Sequence, residues 1–357
     1  MVDRVGLNKY GLFLLIFMLV SFVSSSAWSG NNTWTATSAL PPVGVFHIQV
    51  SRDNPDVIYG GMGYEGTVIK STTRGLNWSI YSVGLGGSSE MKGIIISDPS
   101  GDTAMAGFYS GGVSPLFWTT DGGLTWTTRT VGFNDDCVSG MSLHPTNPSI
   151  IYCGTEMGLW RTEDLGNSWE FINNGIPTTQ HSYSVAVDPV NQSILYAGSQ
   201  TGIYKSYDNA SSWSLLTTQT GTVLMQKVLM DPFNHHTFYA MAPTVGIYKS
   251  TDEGTTISLI APLSVFSGSL KALVVNPVKP GFLYVSSYPG GVFVSHDGGN
   301  SWTSINTGLP NTSTGPLTID SIQGDTLYVG LTNPPYGVYT YTENLTDIPD
   351  TLWQGYQ

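Results

Sequence analysis

Short apolar stretches recur along the chain, each closing on a polar turn. The stretches GTVIKS, PLFWTT, GLWRTE, GIYKSY, GIYKST and GVFVSH each run into an octapeptide: STTRGLNW from Ser71, TTDGGLTW from Thr119, TEDLGNSW from Thr162, SYDNASSW from Ser206, STDEGTTI from Ser250 and SHDGGNSW from Ser295. The starts lie 48, 43, 44, 44 and 45 residues apart, a spacing that marks an array of like supersecondary units. In the pattern S/T-x-D-x-G-x-x-W, hydroxyl and carboxylate side chains bond nearby backbone N–H groups. Glycine takes the positive-φ position without a steric penalty. Each octapeptide is therefore a turn between antiparallel strands, with the Trp folded back over it. Where Thr73 replaces Asp, Ala210 replaces Gly and Ile257 replaces Trp, looser turns are expected.

A second element precedes each turn: an aliphatic strand, a turn rich in Asp, Asn and Pro, then a strand carrying Tyr. It reads SRDNPDVIYGG, SLHPTNPSIIYCG, AVDPVNQSILYAG, LMDPFNHHTFYA, VVNPVKPGFLYVS and SIQGDTLYVG, with a version lacking the Tyr from Ile94 to Ala106. That makes seven units of four short strands, the blade of a β-propeller. Trp34 and its neighbours resemble an outer strand with no octapeptide before it, and Gly337 to Thr342 resembles a third strand with no Trp after it. The N-terminal strand is therefore expected to complete the seventh blade, which leaves no open sheet edge. The fold class is all-β: one seven-bladed propeller over residues 31–344, with 345–357 as a tail.

The octapeptide resembles the Asp-box, or BNR, repeat of sialidases, sortilin-type receptors, xyloglucan-specific glycoside hydrolases and photosystem II assembly-factor-like proteins. The resemblance covers nearly all of the chain after the leader. It implies the propeller and leaves activity open, since binders and enzymes share the repeat.

Residues 1–27 read as a secretory signal: Arg4 and Lys9, an uncharged apolar run from Gly11 to Val23, then Ser24 to Ala27 as the cleavage region. The run is shorter than the roughly 20 residues that span a bilayer, so a secreted or periplasmic protein without membrane insertion after cleavage is expected. Charged residues make up 11% of the chain and the net charge is −12, which argues against nucleic acid and anionic membranes as partners. Four arginines remain after the leader, Arg52, Arg74, Arg129 and Arg161. Two of them sit in or beside repeat turns, so a sialidase-like carboxylate clamp is not expected. Export permits a disulfide between Cys137 and Cys153. Their offset about the turn at 144–149 is odd, which puts them on opposite sheet faces, and the sequence leaves the pairing open.

In this strand order the repeated turns share one face. The variable loops share the other, where a rigid scaffold usually carries its site. Four of those loops place a Tyr at similar depth, Tyr64, Tyr109, Tyr288 and Tyr336, a ring suited to stacking on sugars around an acidic mouth. Glu65 and Glu156 join them as candidate ligand-binding residues. Glu65, Asp135, Asp136 and Glu156, with Glu90 and His181 beside Tyr183, form a possible carboxylate cluster near blades 1–3. Such a cluster can serve as the acid–base pair of a glycoside hydrolase, hold Ca²⁺ through oxygen ligands, or be merely solvated. His235-His236 falls in a turn on the opposite face and is not expected to bind metal; no cofactor is expected. The expectation is a monomeric, non-catalytic propeller that binds a glycan or protein. The alternative is a glycoside hydrolase acting on β-glucan or xyloglucan-like polysaccharide.

Overall fold

The strands form seven four-stranded antiparallel sheets, each built from consecutive strands except the last. The computed structural model describes residues 32–344 apart from 64–65, 83–84, 86–89, 110–115, 130–136, 179 and 217–221. The expected signal and tail thus lie outside the described residues. The inner strands of blades 1 to 7 are Val45–Val50, Glu90–Ile96, Val138–Leu143, Ser182–Val187, Lys227–Met230, Ser269–Val275 and Thr314–Ile319. The seventh blade takes its outer strand, Thr35–Ala36, from the other end of the chain, paired to Gly337–Thr342. The expected seven-bladed, all-β architecture and its closure are both present.

The apolar core lies between sheets. Among the described residues, buried side chains group into clusters that each join two neighbouring blades. One joins Tyr59 and Val68 of blade 1 to Ile94 and Phe117 of blade 2; another joins Val45 and Ile48 of blade 1 to Tyr328 and Val338 of blade 7, completing the circle. The repeated Tyr of the second strand is the anchor: Tyr59, Tyr152, Tyr196, Tyr239, Tyr284 and Tyr328 are all fully buried. Small residues opposite let the next blade approach. A Cβ on Gly154 would lie 2.4 Å from the Ser182 carbonyl oxygen of blade 4.

The octapeptide turns behave alike. Thr119 Oγ1 accepts the Gly123 N–H at 2.9 Å, and the Asp121 carboxylate accepts the Thr119 hydroxyl at 2.8 Å and the Thr125 N–H at 3.0 Å. Gly122 and Gly123 both have positive φ, 76° and 95°. The expectation that decayed turns are looser is corrected. Ala210 adopts φ 66° and its N–H makes the same 2.9 Å bond to Ser206 Oγ. Thr73 Oγ1 stands in for a carboxylate oxygen by accepting the Asn77 N–H at 3.0 Å. Ile257 is buried at 2% exposure. The hydrogen bonds and burial hold each turn even where the preferred residue is missing.

A cation just before four of the six turns locks neighbouring blades together. Lys70, Arg161, Lys205 and Lys249 donate to the carbonyl oxygens of Gly122, Asn209, Glu253 and Gly298, the same position of the next blade's turn each time.

Cys137 and Cys153 are buried and form no disulfide with one another. Met141, one residue further than the turn arithmetic gives, faces Cys153, because the turn is one residue longer than expected and Leu143 pairs with Ile151.

Candidate functional site

The seven inner strands surround a central channel of about 1070 Å³. Each enters at the variable-loop face, and most carry a β-bulge in their first turn of pairing. The register skips one residue in blades 1, 2, 3, 4 and 6: Phe46, Lys92, Ser139, Tyr183 and Lys271. In blade 7 it skips Gly315 and Pro316. In blade 5 the Gln226 N–H shares the Met241 carbonyl level with Lys227. A bulge leaves the extra residue outside the ladder and re-aims its side chain. All of these residues line the channel.

The lining is cationic. Lys92 and Lys271 stand at the bulge level, and His47 and Lys227 one residue deeper, opposite Gly61 and Met241 of their own blades. Arg52 lies at the far end, tied to Asp53 at 3.1 Å and to the carbonyls of His144 and Pro145 at 3.2 and 2.8 Å. Among the described residues no Asp or Glu lines the channel. Burial, then the charge of Lys227, push the His47 imidazole down to about 4. His47 Nε2 is buried with no hydrogen-bond partner among the described residues. Burial likewise lowers the Lys227 ammonium. Blades 1 and 5 lie on opposite sides of the ring, so this mutual repulsion acts across the channel.

Around the mouth the expected site residues divide. Tyr288 is 39% exposed, its ring lies 5.7 Å from Lys271 Nζ and its hydroxyl accepts from Asn333 Nδ2 at 3.1 Å. Tyr336 is half-buried in the hairpin of blade 7. Glu156 is half-buried, and burial, then the Glu156 carboxylate, raise the Tyr183 phenol. The His181 ring lies tilted beside that of Tyr183, their centroids 6.0 Å apart. Tyr64, Glu65, Asp135 and Asp136 lie outside the described residues, as do the side chains of Tyr109 and Glu90. Of the four candidate catalytic carboxylates, Glu156 alone is placed, and no second carboxylate is shown facing it. The sequence reading overlooked Lys92, Lys227, Lys271 and His47. Their signal was a cation or imidazole interrupting an otherwise aliphatic inner strand, in EMKGIII, QKVLM, SLKALVV and VFHIQV.

No family model matches the chain, and no curated relative matches it. Solved structures do. A GH74 xyloglucanase from Xanthomonas campestris superposes with a TM-score of 0.67 at 16% identity, covering 87% of this chain and 54% of that one. The chain thus spans about half the length of that enzyme. YCF48 bound to a D1 peptide gives 0.63 at 14% identity, covering 87% and 96%. U3-55K gives 0.65 at 11% identity, covering 88% and 100%. At these identities the likeness is one of fold, and these neighbours include both enzymes and non-catalytic propellers.

Proposed function

We propose that the chain is an exported, non-catalytic propeller of the Asp-box kind that binds a glycan or protein ligand at its loop face and seats an anionic group of that ligand in the channel mouth. One observation carries the reading: in a chain of net charge −12, the channel collects Lys92, Lys227 and Lys271, and no Asp or Glu is among its described lining residues. Cationic groups in a partly desolvated funnel favour an incoming carboxylate or sulfate, because low local dielectric strengthens the pairing. Tyr288 and Tyr183 at the rim offer flat apolar faces to a sugar ring. An acidic glycan meets both features. A glycoside hydrolase instead needs two carboxyl groups about 5–9.5 Å apart. The likeness to the xyloglucanase and the four candidate carboxylates keep that as the alternative. The YCF48 structure holds a peptide, so a protein ligand with an acidic segment is compatible with the same funnel.

The test is a glycan array carrying neutral, uronate and sulfated sugars, read beside hydrolysis assays on xyloglucan and β-glucan. Uronate or sulfated glycans are expected to bind, with binding lost in Lys92→Glu and Lys271→Glu. Reducing-sugar release that disappears in Glu156→Gln would replace the binding reading with the enzymatic one.

A further inference from the structure

Blades 4 and 5 meet, on the face of the repeated turns, at two adjacent histidines. His235 and His236 sit in the turn between the first two strands of blade 5, their ring centroids 3.8 Å apart. Glu253, in the octapeptide turn of the same blade, brings its Oε1 to 2.6 Å from His236 Nδ1. One ligand atom from each of the three lies within 4.8 Å of the others. We propose that His235, His236 and Glu253 form a binding site for a divalent transition-metal ion, with Zn²⁺ as its natural fit.

Two imidazoles and a carboxylate form the borderline nitrogen–oxygen donor set that zinc takes, and alkaline-earth ions do not favour imidazole. The supporting groups are in place. Asp188 is fully buried; its Oδ1 accepts the Val190 and Asn191 N–H groups, and its Oδ2 stands 3.4 Å from His235 Nδ1. An Nδ1–H donated to that carboxylate leaves Nε2 as the lone-pair donor, the outer-shell arrangement that orients metal-binding histidines. Lys205 is 2% exposed and holds Glu253 Oε2 at 3.2 Å, so Oε1 is the oxygen that would exchange its contact with His236 Nδ1 for the ion. The carboxylate also stands between that ammonium and the ion, so the repulsion is screened at its source. Ligand atoms around a tetrahedral zinc with bonds of about 2.0–2.1 Å stand roughly 3.3 Å apart. Reaching that from 4.8 Å takes a side-chain rotation, which His235 and His236 are free to make at 34% and 52% exposure. A water completes the fourth position.

Zinc would clamp the inner-strand turn of blade 5 to its own octapeptide turn, beside the seam with blade 4. The test is calorimetric titration of the tag-free chain with zinc chloride. One ion per chain is expected, with affinity lowered about tenfold or more in His236→Ala and Glu253→Gln. Asp188→Asn keeps the two backbone caps and loses the charge behind His235, and it is expected to weaken zinc by about tenfold. His296→Ala, on blade 6, leaves the affinity unchanged. Melting of each metal-free variant shows that it is folded. No stoichiometric uptake by the parent chain, or uptake unchanged in both His236→Ala and Glu253→Gln, would overturn the proposal.

Discussion

Thr35 stands directly opposite Thr340, 305 positions away along the chain, their hydroxyl oxygens 3.2 Å apart. Next to it Trp34 is 2% exposed, packs on Tyr341 at 5.2 Å and donates its indole N–H to Ile305 O. This strand and indole hold the ring shut together with the apolar cluster between blades 1 and 7. Trp34→Ala should cost about 3–5 kcal/mol in urea unfolding, the usual range for an aromatic removed from a packed interior. An unchanged midpoint would mean that the seam carries no load.

Acid should weaken the octapeptide turns. The Thr125 hydroxyl and N–H, opposed by slight desolvation and helped by the Thr119 hydroxyl, hold the Asp121 carboxyl down to about 2. Asp164, Asp208, Asp252 and Asp297 are lowered as well. A depressed carboxyl adds stability that is complete above its unfolded value, near 3.9, and fades as pH falls through the folded one. The melting temperature should therefore drop between about pH 4 and pH 2, less steeply in Asp121→Asn.

A separate window belongs to the channel. The folded His47 imidazole titrates at about 4, below its unfolded value of about 6.5. The unfolded chain binds the proton first, so stability should rise as pH climbs from about 4 to about 6.5. His47→Gln should flatten that rise in urea midpoints. An identical slope in the variant would show that His47 is well solvated.

The cation locks between blades should be felt one at a time. Lys249 Nζ donates to the Gly298 carbonyl at 3.1 Å, and burial lowers its ammonium. Lys249→Met keeps the stem and strands the carbonyl, at a cost of about 1–3 kcal/mol. Thermal melting of the variant checks the value.

The thiols give a chemical reading of the register. Cys137 and Cys153 are both buried and not joined by a disulfide, so a thiol reagent should find two thiols in the unfolded chain, react slowly with the native one, and leave melting insensitive to reductant. Loss of both thiols on non-reducing analysis would contradict the pairing of Met141 with Cys153.

The wheel was readable because the same turn chemistry repeats at equal intervals; even Trp34 and Thr340 could be matched from their places in the period. The channel was not readable because a bulge breaks the strict alternation that assigns side chains to faces. Lys92 and Lys271 look like ordinary strand residues in one dimension, and only the skipped register turns them inward. The overall charge pointed the other way, since counting acids and bases says nothing of where the few lysines gather. His235 and Glu253, 18 residues apart, meet only when two turns of one blade are brought side by side.

Because five of the sheets send into the channel a residue that the ladder leaves out, the identity of that residue is uncoupled from the packing that holds the wheel. Phe46, Lys92, Ser139, Tyr183 and Lys271 occupy equivalent places with quite different chemistry. Ligand preference can therefore be rewritten one spoke at a time, like changing the pins of a lock without recasting its barrel.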